Sequence, residues 1–278
     1  MAKNNSSKEI WIAANEAQKE YFKDIIRFRE LFYFLAWRDI VVRYKQTFLG
    51  IIWAIVRPLL TMTVFALVFG KIAHLGTEQI NYPLFILAGL LPWTLFAGSL
   101  IDTSQSLVHN AHMISKIYFP RIILPISDIM VHFVDFLVSL ALLIVLLLFT
   151  NHFFHLSIVA LPLMIALTLF LCMGCGFWLS AISVRYRDFR FIVPFIVQFG
   201  LFLSPIGYSS FIIASPFQWI YFLNPMAGII EGFRWCCFDI YHPQLPLALL
   251  LSCLVNTALF ISGFQFFRKM ERVCADII

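Results

Sequence analysis

Charge is scarce in this sequence: 13% of its 278 residues are Asp, Glu, Lys or Arg, against 61% hydrophobic, and the mean hydropathy is +0.88. A water-soluble domain of this length needs a largely polar exterior. The shortage excludes one and leaves lipid as the solvent. Catalytic signatures are missing too. There is no G-x-x-x-x-G-K-[ST] phosphate loop, no H-E-x-x-H and no G-x-S-x-G, and the seven histidines are scattered. Catalysis is therefore not expected of this chain, nor is a bound cofactor or metal. A cleavable signal peptide is not expected, because residues 1–20 are polar and mixed in charge, and the first span is expected to direct insertion. The six cysteines are Cys172, Cys175, Cys236, Cys237, Cys253 and Cys274. Cys172 and Cys175 form a C-x-x-C inside an apolar run beside Gly174 and Gly176, where small residues ease helix contact and zinc would find no further ligands.

Long apolar runs are abundant. A span needs about 20 mostly apolar residues, and the candidates are 51–72, 84–107, 122–149, 158–184, 191–203 with a continuation, and 247–267. The third and fourth are long enough to tilt. The fifth is broken at Ser204-Pro205-Ile206-Gly207. The stretch 208–246 is amphipathic, rich in aromatics and punctuated by Pro216, Pro225, Pro243 and Pro246. The fold class is thus an all-α integral membrane protein with six transmembrane helices. Of the 20 Lys and Arg, 17 fall in segments that six spans place on one side: nine in 1–50, then Lys116, Arg121, Arg185, Arg187, Arg190, Arg268, Lys269 and Arg272. Both ends are then cytoplasmic. Seven spans would put the basic C-terminus outside and Glu231, Arg234 and Asp239 near lipid, which is unfavourable. A re-entrant pair of short helices over 204–246, on the outer side, fits better.

The chain divides into a polar N-terminal segment (1–20), an amphipathic helix (21–47) and a six-span domain (48–278). In 21–47, Phe22, Ile25, Ile26, Leu31, Phe32, Leu35, Trp37, Ile40 and Tyr44 interleave with Lys23, Arg27, Arg29, Arg38, Arg43 and Lys45. This pattern describes a helix lying in the inner interface, or one docking on a cytosolic partner. Arg57, Asp102 and Asp128 lie at similar depth inside the first three spans and are expected to pair. Asp128, His132 and Asp135 share one helix face at i, i+4, i+7. Two readings stand: an ion-paired seam, or a polar wall beside a conduit or proton relay. Pro58 is expected to weaken the first span and set a kink.

Aromatics make up 17% of the chain, 31 of them Phe. Phe191, Phe195, Phe199 and Phe202 form one stripe along the fifth span, and Trp53, Phe65 and Phe69 decorate the first. Such rings either pack against lipid or stack on sugar faces in a conduit. The turn at 109–121 is short, amphipathic and closed by Pro120. It suits a short helix that docks into a cleft on a cytosolic partner.

Six segments in order resemble the type 2 ABC exporter permeases of bacterial polysaccharides: LAWRDIVVRYKQTFLGIIWAIVRPLL (35–60), AGLLPW (88–93), KIYFPR (116–121), RYRDFR (185–190), LSPIGY (203–208) and NPM (224–226). The pattern is more like O-antigen and teichoic acid exporters than the capsule branch. The resemblance implies a homodimeric permease in the bacterial cytoplasmic (inner) membrane. It would pair with two copies of a separate ATPase that binds ATP and Mg. The expected substrate is a polysaccharide on a polyprenyl pyrophosphate carrier. The canal would be lined by Trp53, Phe65, Phe69 and the Phe191, Phe195, Phe199, Phe202 stripe. The segment 109–121 would couple to the ATPase through His112, Ser115, Lys116 and Tyr118, and Tyr208, Phe211 and Trp219 would form an outer gate. A pyrophosphate at the inner interface needs cations. Arg38 and Arg43 come first, then Lys45 and Lys116, with anchoring to anionic headgroups as the competing role. The alternatives are an ion-coupled secondary transporter and a membrane-embedded glycosyltransferase or ligase working through Glu231, Arg234 and Asp239.

Overall fold

The computed structural model describes residues 21, 23–45, 50, 52–72, 81–150, 155–213 and 215–277. The polar segment 1–20, Phe22 and the residues 46–49 that lead into the first span lie outside them, as do the side chains of Pro216, Arg272 and Cys274. Among the described residues the chain is helical and holds no strand.

Helix α1 (Arg29–Lys45) precedes α2 (Ile52–Phe65), which passes through Pro58 and ends in a π-helical turn, Ala66–Ile72. Next come α3 (Tyr82–His109), the one-turn α4 (Ala111–Ile114) and α5 (Ile123–Phe149). After them stand α6 (Leu161–Arg185), α7 (Phe189–Leu203), the short α8 (Ser215–Tyr221), α9 (Pro225–Phe238) and α10 (Leu245–Ile277). Among the described residues, five helices are long and apolar enough to cross a bilayer, and α7 is a shorter apolar helix. This is an all-α membrane protein.

The span positions follow the apolar runs closely, with one correction. The last helix runs on to Ile277 rather than ending near 267. Its polar end is held in place: the backbone N–H of Arg121 donates to Glu271 Oε1 at 2.9 Å, Arg121 Nη1 donates to the Glu271 carbonyl at 3.1 Å, and Arg268 lies 3.5 Å over the Tyr21 ring. The departure from α geometry in the first span falls at 66–72, beyond Pro58, where Gly70 lets the Tyr82 ring approach. A Cβ on Gly70 would lie 2.7 Å from that ring.

Helix α3 is the hub, buried almost throughout and packed by α2, α5, α6, α7 and α9. Without a hydrophobic drive between helices in lipid, close approach through small residues does the packing. Gly174 and Gly263 do so where α6 crosses α10: a Cβ on Gly263 would stand 2.4 Å from the Gly174 carbonyl oxygen. Cys172, on the same helix, is fully buried in the central core. A second, smaller core joins α1 (Leu35), the 109–122 turn (Phe119, Ile122), α6 (Phe177, Ala181) and α10 (Phe267). It marks the basic end of the bundle, where α1, the 110–121 turn, the 186–188 turn and the end of α10 gather. Helices α2 and α7 both lean on α3 and share no substantial contact with each other.

Candidate functional site

At the basic end, α1, α3 and α5 enclose a cleft of about 370 Å³ lined by Arg38, Asp39, Arg43, Asp102, Asp128 and neighbours. The face expected on α5 forms. Arg43 Nη2 lies 3.0 Å from Asp135 and Nη1 3.8 Å from Asp102. His132 Nε2 meets Asp102 Oδ2 at 2.6 Å, and the Tyr44 hydroxyl donates to Asp135. Gly98 makes room, since a Cβ there would stand 2.3 Å from His132 Nδ1. Burial and the neighbouring Asp135 hold the Tyr44 hydroxyl above its usual range.

Arg57 does not join this cluster, contrary to the pairing its depth suggested. It is exposed on α2, and no ion pair engages it among the described residues. Arg43, from the preceding helix, takes its place. Asp128 lines the cleft with a buried Oδ2 that finds no hydrogen-bond partner among the described residues. Of the expected pyrophosphate cations, Arg43 is thus held between two carboxylates and Arg38 bonds its neighbour Asp39 at 2.8 Å, while Lys45 and Lys116 are exposed.

The aromatic stripe lies on one open face. Phe191, Phe195, Phe199 and Phe202 are 55–67% exposed, whereas Val193 on the opposite side is buried and Gly200 faces Trp93. The Phe195 and Phe199 rings lie tilted at 47° with their centroids 4.5 Å apart. On α2, Trp53 is exposed, but Phe65 packs on the central core and Phe69 faces Gly207. The three first-span aromatics therefore do not share one surface.

In the 110–121 turn His112, Ser115, Lys116 and Tyr118 are all exposed, Tyr118 at 83%, while Met113 and Ile114 turn into the second core. The outward row is thus mounted on a packed base.

At the far end the unwound residues after α7 have their carbonyls satisfied by side chains. Arg234 (2% exposed) donates to the carbonyls of Ile206 at 2.8 Å and Tyr208 at 3.1 Å, with its guanidinium 3.6 Å over the Phe85 ring. Glu231 Oε1 accepts from Arg234 Nη1 (3.3 Å), Ser210 N (2.7 Å) and Ser210 Oγ (2.8 Å). Asn224 caps α9 through its side chain, and Asp239 ends that helix in the left-handed region at φ 56°. The Tyr208 and Tyr221 hydroxyls meet at 3.0 Å, Phe211 stacks on His242 at 4.0 Å, and Trp219 is exposed. Sequence reasoning treated Glu231 and Arg234 as candidate catalysts. Their signal as a buried pair was the i, i+3 spacing beside a broken helix.

Apolar helices of spanning length, with their buried charges paired inside the bundle, define a multi-pass membrane protein. The chain belongs to the ABC-2 type transporter family, whose sequence profile matches residues 30–238. It is similar to the O-antigen export system permease protein RfbA of Klebsiella pneumoniae, 28% identical over 87% of this chain and 92% of the relative. The permease of the same name from Myxococcus xanthus is 25% identical over 92% of this chain and 98% of its own length. The polysialic acid transport protein KpsM of Escherichia coli is 25% identical over 84% and 91%.

Proposed function

We propose that this chain is the transmembrane permease of an ATP-driven exporter that moves polyprenyl-pyrophosphate-linked polysaccharide, O-antigen-like, across the bacterial cytoplasmic membrane. It works as a homodimer with two copies of a separate ATPase subunit, which binds ATP and Mg. The observation that carries the reading is the open Phe191, Phe195, Phe199, Phe202 face on a helix whose other side is packed, in a chain related to permeases named for O-antigen and polysialic acid transport. Pyranose C–H faces stack on such rings without one fixed hydrogen-bond geometry, so a row of them lets a sugar chain slide.

In this reading six spans cross, with both ends and the basic end of the bundle in the cytoplasm. Helix α7 has 15 residues, about 22 Å against a hydrocarbon core of about 30 Å. The buried 204–207 turn and the re-entrant α8 and α9 complete the depth and form the outer gate with Tyr208, Phe211 and Trp219. The exposed row His112, Ser115, Lys116 and Tyr118 docks into the ATPase. A ligase working through Glu231 and Arg234 is disfavoured, because both side chains are consumed in holding the loop.

Co-purification with candidate ATPase subunits, followed by ATP hydrolysis with and without carrier-linked glycan, tests this. A stable two-plus-two complex whose hydrolysis responds to glycan supports the exporter. A chain that recruits no ATPase sinks it.

A further inference from the structure

Two clusters of arginine stand at the basic end, and they differ in what is left for a ligand. In the cleft, Asp39, Asp102 and Asp128 outnumber Arg38 and Arg43. Both guanidiniums already bond carboxylates, so an anionic group entering there has to displace one of them. The turn between α6 and α7 is the reverse. Arg185, Arg187 and Arg190 face one acid, Asp188. All four are exposed, and no ion pair engages any of them among the described residues.

Two of the three guanidiniums are also held by rings. Arg185 lies over Tyr186 at 5.4 Å and Arg190 over Phe191 at 4.7 Å. Stacking leaves the in-plane N–H fork of a guanidinium free for phosphate oxygens. Phe191 is the first ring of the open stripe, so an anion gripped by Arg190 stands at its foot. Three forks within one turn match two linked phosphates better than the single phosphate of an ordinary headgroup.

We propose that the 185–190 turn, through Arg185, Arg187 and Arg190, is the site that captures the pyrophosphate of the lipid carrier, and that the Arg38–Arg43 cleft is not. This rests on the exporter reading above. The shared chemistry is a phosphate anion in the bilayer surface, and the test separates its two sources.

The full chain in phosphatidylcholine nanodiscs is titrated with a fluorescent isoprenyl pyrophosphate, then competed with phosphatidylglycerol in the same discs. The expected result is that Arg187→Gln with Arg190→Gln weakens probe binding about tenfold or more, because charge-assisted phosphate bonds are lost. Arg187→Lys with Arg190→Lys recovers only part of it, since Lys supplies charge without the fork. Arg38→Gln binds as the parent does, and phosphatidylglycerol competes poorly. All these side chains are exposed or paired locally, so unchanged thermal unfolding of each variant certifies the fold. The proposal is overturned by unchanged affinity in the Gln pair, by a loss in Arg38→Gln of the same size, or by phosphatidylglycerol competing equally. If the parent chain binds no isoprenyl pyrophosphate, the proposal also falls. Glycan-responsive ATP hydrolysis with the partner subunit then shows whether the exporter reading falls with it.

Discussion

Replacing Glu231 by alanine destabilises the protein far more than replacing it by glutamine. Glu231 is 5% exposed and its Oε1 gathers Ser210 N, Ser210 Oγ and Arg234 Nη1. Alanine leaves the guanidinium of Arg234 buried without its counter-charge and carboxylate acceptor and strips Ser210 N and Oγ of their partner, a loss of about 3–5 kcal/mol. Glutamine keeps a carbonyl oxygen in the same place. It gives up the charge but not the bonds, costing about 1–2 kcal/mol. At about 2–4 °C per kcal/mol for a chain of this size class, Glu231→Ala unfolds on the order of 10 °C early and Glu231→Gln by about half that or less. A thiol-reactive dye reads the transition, because Cys172, Cys236 and Cys237 are buried and become labelled only on unfolding. Exposed Cys253 is first replaced by serine to lower the baseline. Equal losses for Ala and Gln would refute the reasoning. A further outcome carries weight: if Glu231→Gln folds as the parent yet abolishes export, the carboxylate does chemistry and the ligase alternative returns.

Gly98→Ala drives the His132 ring from its place, since the new Cβ would lie 2.3 Å from Nδ1. The overpacking and the lost Asp102 contact cost about 1–3 kcal/mol by thermal unfolding, and a neutral result would mean that the ring has room to move. Phe195→Ala with Phe199→Ala leaves the unfolding temperature nearly unchanged, because both rings are more than half exposed, while export in an everted-vesicle assay drops; export at the parent rate removes the stripe from the path. Tyr21 and Tyr44 keep neutral hydroxyls to high pH, raised chiefly by burial and further by Glu271 and Asp135 respectively. The unfolded chain ionises them near pH 10, so their contribution is complete below that pH and is lost as pH rises beyond it. Tyr44→Phe should flatten the fall in stability above pH 10, and an unaltered slope counts against the Tyr44 share.

The spans were legible because lipid demands continuous apolar length, and hydropathy records little else. The run of α10 past 267 was not. Its last turns are polar, and contacts from far along the chain, Arg121 to Glu271 and Tyr21 to Arg268, hold them. The charged cluster was half legible. The i, i+4, i+7 spacing placed Asp128, His132 and Asp135 on one face, but depth alone chose Arg57 as the cation. The chain supplies Arg43 instead, from a helix that runs along the bundle and packs on α5. The same limit applies at the far end. Sequence marks Glu231 and Arg234 as costly in lipid but cannot tell that unwound carbonyls at 206 and 208 are waiting for the guanidinium.

Arg57 now carries the sharpest question about α2. Only Pro58 of that helix is buried, and exposure in lipid does not by itself call for a partner, because apolar helices gain nothing by leaving the hydrocarbon. A guanidinium does call for one. Trp53, Arg57 and Thr61 share a face at i, i+4, i+8, and the Thr61 hydroxyl is returned to the Arg57 carbonyl at 2.9 Å. Arg57 lies five residues into α2, about 7–8 Å along the axis, so its long side chain could reach back to headgroups or stand in a water-filled canal. Under the exporter reading the face is wet. Single cysteines separate the two, since a thiol in lipid stays protonated and inert while one in water reacts. Arg57→Cys and Thr61→Cys, in a background without Cys253, are both expected to react with a membrane-impermeant maleimide. Thr61 sits one turn deeper, beyond the reach of the headgroup layer. Labelling at 57 with silence at 61 would make Arg57 a headgroup anchor and remove this face of α2 from the canal.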